Sequence, residues 1–373
     1  MKIKIKKKRI IFFLPVFTLG GASSSILKLS KFLKNHNYSV SLISVGKNSH
    51  KKYLKEIGCE VYEINASRVL FSIFALRKLL KSDIKKKYSR VTLISNIHYA
   101  NIIALISCFK LRDIKLIFTE RSSLSELAIY HNFFNFMKNR LIFFLAKFFY
   151  KFANIVITNS KFERDYIKNN FNIRNVKHIN PPSITKIERN FKTKKKNSNI
   201  KKIIYVGRLS KEKGILTILK ALSKIKNDYN FKFEIFGEGV EKKNIKNFIK
   251  EKKLSKKVLF KGHYKNESKI FKNKDLFINA SWFEGLPNAL VQSLNYNVFP
   301  ICSKSPGGNF EVIKNGELGL VFKTNNSEDL KKKIIFFFKK NLKLPQKNRI
   351  IHLENFTQSK SNQEYLKTLK NLR

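Results

Sequence analysis

The chain has 373 residues, 43% of them hydrophobic, which is enough to bury two ordinary cores and too much for a small stapled module. Its 77 Lys and Arg against 25 Asp and Glu give a formal charge of +52. Three cysteines, Cys59, Cys108 and Cys302, lie far apart without C-x-x-C spacing, which excludes a disulfide framework or a zinc ribbon and fits a reducing cytosol.

Charge of this size ordinarily points to nucleic acid, because neutralising phosphates releases counterions. Here Lys runs through every predicted surface element beside abundant Asn, Ile and Phe, a mix that coding bias toward A and T also produces. A nucleic-acid reader should instead gather its cations and aromatics on one face, so no nucleic-acid partner is expected. An anionic membrane surface would still attract such a chain, by about 1 kcal/mol for each Lys or Arg close to it.

In chain order, the cations at 2–9 and the apolar run 10–17 have the form of a signal peptide, but Pro15 interrupts the run. Gly20-Gly21-Ala22-Ser23 then leads into a helical pattern of Ile26, Leu27, Leu29, Phe32 and Leu33, which reads as strand, turn, helix. No apolar run reaches the roughly 18 residues of a membrane span, so the chain is expected in the cytoplasm, free or peripheral at the membrane. Apolar runs at 10–14, 40–44, 91–95, 115–119 and 155–159 alternate with helical patterns and predict a first parallel sheet. Between them, residues 133–152 are dense in Phe and Lys. A helix buried between sheet and solvent, its Lys side chains snorkelling, is expected there in preference to a membrane-interface helix.

Runs at 203–206, 233–236, 258–260, 276–278 and 298–301 predict a second sheet. The expected division is 1–182 for a first domain, 183–200 for a linker, 201–345 for a second domain and 346–373 for a segment returning to the first. Two doubly wound sheets would place their strand carboxyl ends, where ligands bind in such folds, on one cleft.

The chemistry-bearing residues fall at those strand ends. Glu284-Gly285-Leu286-Pro287-Asn288-Ala289-Leu290-Val291-Gln292 follows the run at 276–278. Free N–H groups of Asn288, Ala289 and Leu290 at a helix start would face an anion, with Glu284 beside them to accept from hydroxyls. Gly207 lets the chain turn so that Arg208 and, one turn on, Lys213 can clamp a diphosphate. Gly237 and Gly239 permit close backbone approach to a flat group, and Gly307-Gly308 leads to Glu311 at another helix start. In the first half Gly21 stands at a helix start, His98 follows a strand end as a candidate donor to substrate, and Glu120 and Arg121 are candidates for an acceptor. A solvated loop His and a Glu120–Arg121 pair fit the same residues.

This ordered set resembles the retaining glycosyltransferases of family 4, which have the GT-B fold. Gly20-Gly21, Thr158-Asn159-Ser160-Lys161, Asn180-Pro181-Pro182, Gly207-Arg208 with Lys213-Gly214, Gly237-Glu238-Gly239, Glu284 to Asn288 and Gly307-Gly308 with Glu311 carry it. The resemblance implies an α/β chain of two Rossmann-like domains, with Arg208 and Lys213 on the diphosphate of a nucleotide-sugar and Glu284 on donor-sugar hydroxyls. It implies Gly21, Gly207, Gly237, Gly239, Gly285, Leu286, Asn288, Gln292 and Glu311 around the donor. Gln292 stands where the family usually has a second Glu on the ribose, a loss of about 1 kcal/mol if an amide accepts in its place. It implies no cofactor and no metal, phosphate contacts serving instead, and a glycan or polyprenyl-linked glycan acceptor of the cell envelope. A glycoside hydrolase is the rival enzyme, but Gln292 removes the nearest carboxylate partner of Glu284.

Overall fold

The strand runs owe their shape to alternating apolar side chains that fill both faces of a sheet. The computed structural model describes residues 8–17, 20–85, 88, 90–128, 133–189, 200–262 and 266–372. These form two units, one within Met1–Pro182 and Gln358–Arg373, the other within Ser183–Thr357.

In the first unit β1 (Lys8–Leu14), β2 (Ser39–Ser44), β3 (Glu60–Glu63), β4 (Arg90–Asn96), β5 (Ile114–Glu120), β6 (Ile155–Thr158) and β7 (Val176–His178) form a seven-stranded sheet in the order β3-β2-β1-β4-β5-β6-β7. All its pairs are parallel. Successive residues of β1 serve opposite faces: Ile11 and Phe13 pack with Leu93 and Leu116, whereas Ile10 and Phe12 pack with Leu42 and Ile94. The charged start of β1 is part of this core. Arg9 is fully buried, bonding Glu60 through both Nη atoms at 2.7 and 2.8 Å and Asp83 through Nε at 2.9 Å.

The second unit holds β8 (Lys201–Val206), β9 (Phe231–Phe236), β10 (Val258–Gly262), β11 (Leu276–Asn279), β12 (Phe299–Ser303) and β13 (Leu320–Phe322) as a parallel sheet ordered β10-β9-β8-β11-β12-β13. Both sheets are doubly wound α/β, the sheet type expected from the alternating runs.

Three placements differ from expectation. Residues 183–189 are not a free linker: Ile184 is buried, and the N–H groups of Ser183 and Ile184 donate to Phe356 O. Residues 190–199 lie outside the described residues. The return to the first unit begins at Gln358 and not at 346, because Arg349 holds the helix Gln346–Leu353 in the second unit. Arg349 is fully buried and donates to Leu294 O at 2.8 Å and Asn295 O at 3.1 Å, carbonyls in the last turn of the helix Asn288–Asn295. Burial in this apolar setting pulls its pKa down to about 10.

The third difference is the helix Phe133–Phe149, of which only Ala146 is buried. Phe143 and Ile142 turn inward against the core, but most of the remaining aromatic rings face out. The run carries more Phe than one inward stripe can use, so its richness in apolar residues overstates its burial. Among the described residues no helix is long and apolar enough to cross a membrane.

Candidate active site

In the second unit the loops after β8, β9, β11 and β12 interlock through their backbones. Gly207 N–H donates to Phe236 O at 2.9 Å, and Leu209 N–H to Glu238 O at 2.9 Å. Gly237 has φ +140, and a Cβ there would stand 1.8 Å from Gly207 O. Gly307, at φ +110, lies so close to the next loop that a Cβ would stand 1.6 Å from Glu284 O. Glycine is therefore required at both crossings, and the second of them fixes Glu284. Glu284 N–H donates to Pro306 O at 3.0 Å, and Gly308 N–H to Gly285 O at 2.9 Å. Beneath them Asn309 donates to Ser303 O at 3.0 Å and to Ser305 Oγ at 2.9 Å, while Ser303 Oγ donates to Ser281 O at 2.6 Å.

On this frame Lys213 and Glu284 meet. Lys213 Nζ lies 2.7 Å from Glu284 Oε1, and Ser281 Oγ donates to the same oxygen at 2.6 Å. The two side chains are 18% and 15% exposed, so each is screened from bulk water yet reachable by a ligand. Arg208 is the opposite case, with a side chain 70% exposed and a loose 3.4 Å contact to Glu212. Burial raises the Glu212 carboxyl pKa, but the bond from Ser210, its own N–H and the Arg208 and Lys213 charges outweigh it and leave the pKa lowered. Tyr205, buried under this loop, donates to Arg208 O at 2.9 Å; burial first, then the Glu284 and Glu212 charges, push its pKa well up.

The helix Asn288–Asn295 begins after Pro287 as its cap, with Gly285 and Leu286 buried ahead of it. One expected anion donor is already engaged, since Leu290 N–H donates to Pro287 O at 3.0 Å. Asn288 Oδ1 accepts from Ser183 Oγ at 2.7 Å. Gln292 is buried and donates to Glu267 Oε1 at 2.8 Å, while its own Oε1 is buried without a partner. Glu267 opens a short helix, Glu267–Phe271, and was not singled out from sequence because no motif surrounds it. Glu311 sits half-buried in the short helix Asn309–Val312.

In the first unit His98 opens the helix His98–Cys108 directly after Ile97, which has φ +79. A β-branched residue there costs about 1 to 3 kcal/mol, at the turn that carries the chain from β4 into this helix. His98 is buried, with Nδ1 3.9 Å from Glu120 Oε2 and Nε2 3.6 Å from Glu126 Oε1, distances of charge attraction and not of hydrogen bonds. Burial disfavours its protonation, but the facing carboxylates prevail and its pKa is raised.

Glu120 is fully buried and so is not presented to solvent as an acceptor contact would be; its Oε1 accepts from Asn101 Nδ2 at 2.9 Å and from Tyr150 OH. Nor does it pair with Arg121, whose Nε donates to Asn96 Oδ1 at 2.7 Å. Behind it Glu163, also buried, accepts from Leu124 N–H and Ser123 Oγ, each at 3.0 Å. Burial, reinforced by the Glu120 and Glu126 charges, pushes the Glu163 carboxyl up to about 8. Asn101, Tyr150 and Glu163 were not singled out as site residues, although Ser160-x-x-Glu163 is a legible capping box and Ser160 Oγ accepts from Glu163 N–H at 3.2 Å. Gly21, the remaining expected donor residue, is the exposed first residue of the helix Gly21–Asn35.

Comparison with known proteins bears on what these strand-end residues serve. Residues 19–182 match the family described as Glycosyltransferase Family 4, and residues 186–352 match Glycosyl transferases group 1. A relative from Campylobacter jejuni, N-acetylgalactosamine-N,N'-diacetylbacillosaminyl-diphospho-undecaprenol 4-alpha-N-acetylgalactosaminyltransferase, is 29% identical over 62% of this chain and 62% of its own. The chain thus spans less than two thirds of that relative's length. A second from the same organism, GalNAc-alpha-(1->4)-GalNAc-alpha-(1->3)-diNAcBac-PP-undecaprenol alpha-1,4-N-acetyl-D-galactosaminyltransferase, is 26% identical over 87% of this chain and 88% of its own. The structure of Anabaena HepE in complex with UDP and glucose superposes with a TM-score of 0.75 at 19% identity, covering 97% of this chain and 99% of that one, a likeness of fold. With both halves matched in order on two doubly wound sheets, the chain has the GT-B fold and belongs to the family 4 glycosyltransferases.

Proposed function

We propose that the protein transfers a hexosyl or N-acetylhexosaminyl group from a nucleotide-diphosphate sugar to a glycan or polyprenyl-linked glycan, with retention of anomeric configuration, in cell-envelope polysaccharide synthesis. The observation that carries this reading is the 2.7 Å pair of Lys213 and Glu284, a cation and a carboxylate fixed side by side on glycine-crossed loops. A ligand bearing both a diphosphate and sugar hydroxyls satisfies each member separately. Lys213 then turns to phosphate and Glu284 to hydroxyls, Ser281 holding the carboxylate in place.

In the transition state charge grows on the departing diphosphate while the sugar becomes oxocarbenium-like. Lys213, with exposed Arg208 free to swing onto the diphosphate, would stabilise that leaving group, and no metal is assigned to the task. His98, its pKa raised by its flanking carboxylates, is assigned as a hydrogen-bond donor to a substrate oxygen. Gln292, Asn288, Gly207, Gly237, Gly239 and Glu311, on these loops or the helices that follow them, are assigned to the donor side. Support for a lipid-linked acceptor comes from the two Campylobacter jejuni relatives, both named for undecaprenol-linked glycans. Support for a uridine nucleotide comes from HepE, whose structure holds UDP.

The test is incubation of the purified protein with UDP-, GDP- and ADP-sugars, with and without polyprenyl-diphosphate-linked glycans, measuring released nucleotide and the anomeric configuration of the product. Acceptor-stimulated release with a retained anomer is expected. No release from any donor, or an inverted product, contradicts the proposal.

A further inference from the structure

The helix Phe133–Phe149 exposes a stripe that a protein in water has no use for. Phe134, Met137, Leu141, Phe144 and Phe148 recur every three or four residues along one face, and Phe152 continues the line. Phe134 is 84% exposed, Phe133 70% and Phe144 66%. Phe143, Ala146 and Tyr150 point the other way into the core, so the stripe is outward by construction. Exposed cations Lys138, Arg140, Lys147 and Lys151 flank it, and the segment 133–152 contains no Asp or Glu. Two cations already lie over stripe or neighbouring rings: Arg140 stands 5.7 Å from the Phe136 ring centre, and Lys151 4.5 Å from that of Phe148.

Neighbouring helices on the same sheet face extend the apolar ground. Helix His98–Cys108 packs against helix Phe133–Phe149 on one side and helix Ile73–Lys85 on the other. Its end is pinned by Arg77, which donates to Ser107 O at 3.0 Å and to Phe109 O at 2.6 Å. Phe109 there is 67% exposed, and Phe74 is 82% exposed.

The geometry points to this face as a membrane-docking surface, with the aromatic stripe seated at the acyl boundary of an anionic bilayer and the flanking cations at its headgroups. Two features select lipid over a protein partner. Lys is depleted in protein interfaces, whereas here cations edge the whole stripe. Long basic side chains beside apolar residues on one helix suit an interface where the stem lies in hydrocarbon and the charge in anionic headgroups. The surface is independent of the sugar and acceptor proposed above, so either reading can fail without the other.

The experiment is sedimentation of the full chain with vesicles of phosphatidylcholine alone or mixed with phosphatidylglycerol, at low and high salt. A chain this cationic will meet anionic vesicles through charge alone, so the informative quantity is binding that persists at high salt. The wild type should retain it, and Phe134→Ser/Phe144→Ser/Phe148→Ser should lose it, its apparent affinity falling about tenfold or more. Lys138→Gln/Arg140→Gln/Lys147→Gln/Lys151→Gln should lose the preference for phosphatidylglycerol. Unchanged thermal unfolding and an unchanged thermal shift with UDP would show both variants folded. Should the triple variant fail to fold, Phe134→Cys carrying an environment-sensitive dye should shift to the blue on phosphatidylglycerol vesicles, and Val240→Cys, in the second unit, should not. Triple-variant binding equal to wild type overturns the proposal, as does a dimer that the same substitutions dissociate while vesicle binding is unaffected.

Discussion

Gln292 donates its side-chain amide to the carboxylate of Glu267 at 2.8 Å, so the position where family 4 enzymes usually carry a second Glu is here one half of an amide–carboxylate pair. The carboxylate that residue 292 lacks stands instead on the neighbouring helix, where it accepts from the amide, and two ionised carboxylates at this separation would repel.

Restoring the family residue should therefore harm this protein. Gln292→Glu places two carboxylates within hydrogen-bond distance in a partly buried site, and is expected to lower stability by about 1 to 3 kcal/mol at neutral pH. The exchange Glu267→Gln/Gln292→Glu keeps the net charge of the wild type and restores one donor and one acceptor, so it should recover most of the loss. Thermal unfolding of the single and exchanged variants measures this. A single variant more stable than wild type would refute the pairing.

Gly307→Ala should displace Glu284. A Cβ at residue 307 has 1.6 Å to Glu284 O, and its φ of +110 disfavours any side chain. A loss of about 1 to 3 kcal/mol in stability is expected, with nucleotide-sugar turnover falling further than stability alone accounts for. Gly46→Ala, where a Cβ meets nothing within 4 Å, serves as the control and should lie near zero. Equal effects of the two in an unfolding and turnover comparison would remove the case for the crossing.

Glu163 should make the first unit less stable as pH rises. Its carboxyl titrates near 8 when folded against an ordinary value of 4.5, so the folded state holds a proton that the unfolded state has released. The stabilisation is complete below about 4.5 and is lost as pH climbs through about 8. Glu163→Gln keeps the shape without the titration. Its melting temperature should vary less with pH across that window than that of the wild type, and a parallel pair of curves would contradict the assignment.

The interior strands were legible because their apolar runs serve two buried faces, as in residues 10–14 and 276–278. The strands that escaped, β3, β7 and β13, are short edge strands, and Glu60-Val61-Tyr62-Glu63 shows why: all four residues are only partly buried and its two Glu, paired with Arg9 and Lys51, break the apolar run. The positions of Arg208, Lys213 and Glu284 on strand-end loops were legible because glycines punctuate the sequence around them. Glu120 misled because its chain position is that of a ligand contact, while Asn101 and Tyr150, distant in sequence, enclose it. Glu267 was invisible for the same reason, its meaning residing wholly in a contact with Gln292. The Phe-rich helix shows a third limit, since apolar periodicity reports a face but not which side of the helix the fold will cover.

Nucleotide release from the accepted donor sugar by wild type, Lys213→Ala and Arg208→Ala is the most direct measurement of the diphosphate clamp. Each substitution should lower kcat/KM by the equivalent of about 2 to 4 kcal/mol of transition-state stabilisation while leaving the unfolding temperature close to that of the wild type. Lys213→Ala should be the more severe, because its ammonium is the enclosed one and sits 2.7 Å from Glu284. Turnover by both variants at the wild-type rate would contradict the assignment of these loops as the donor site.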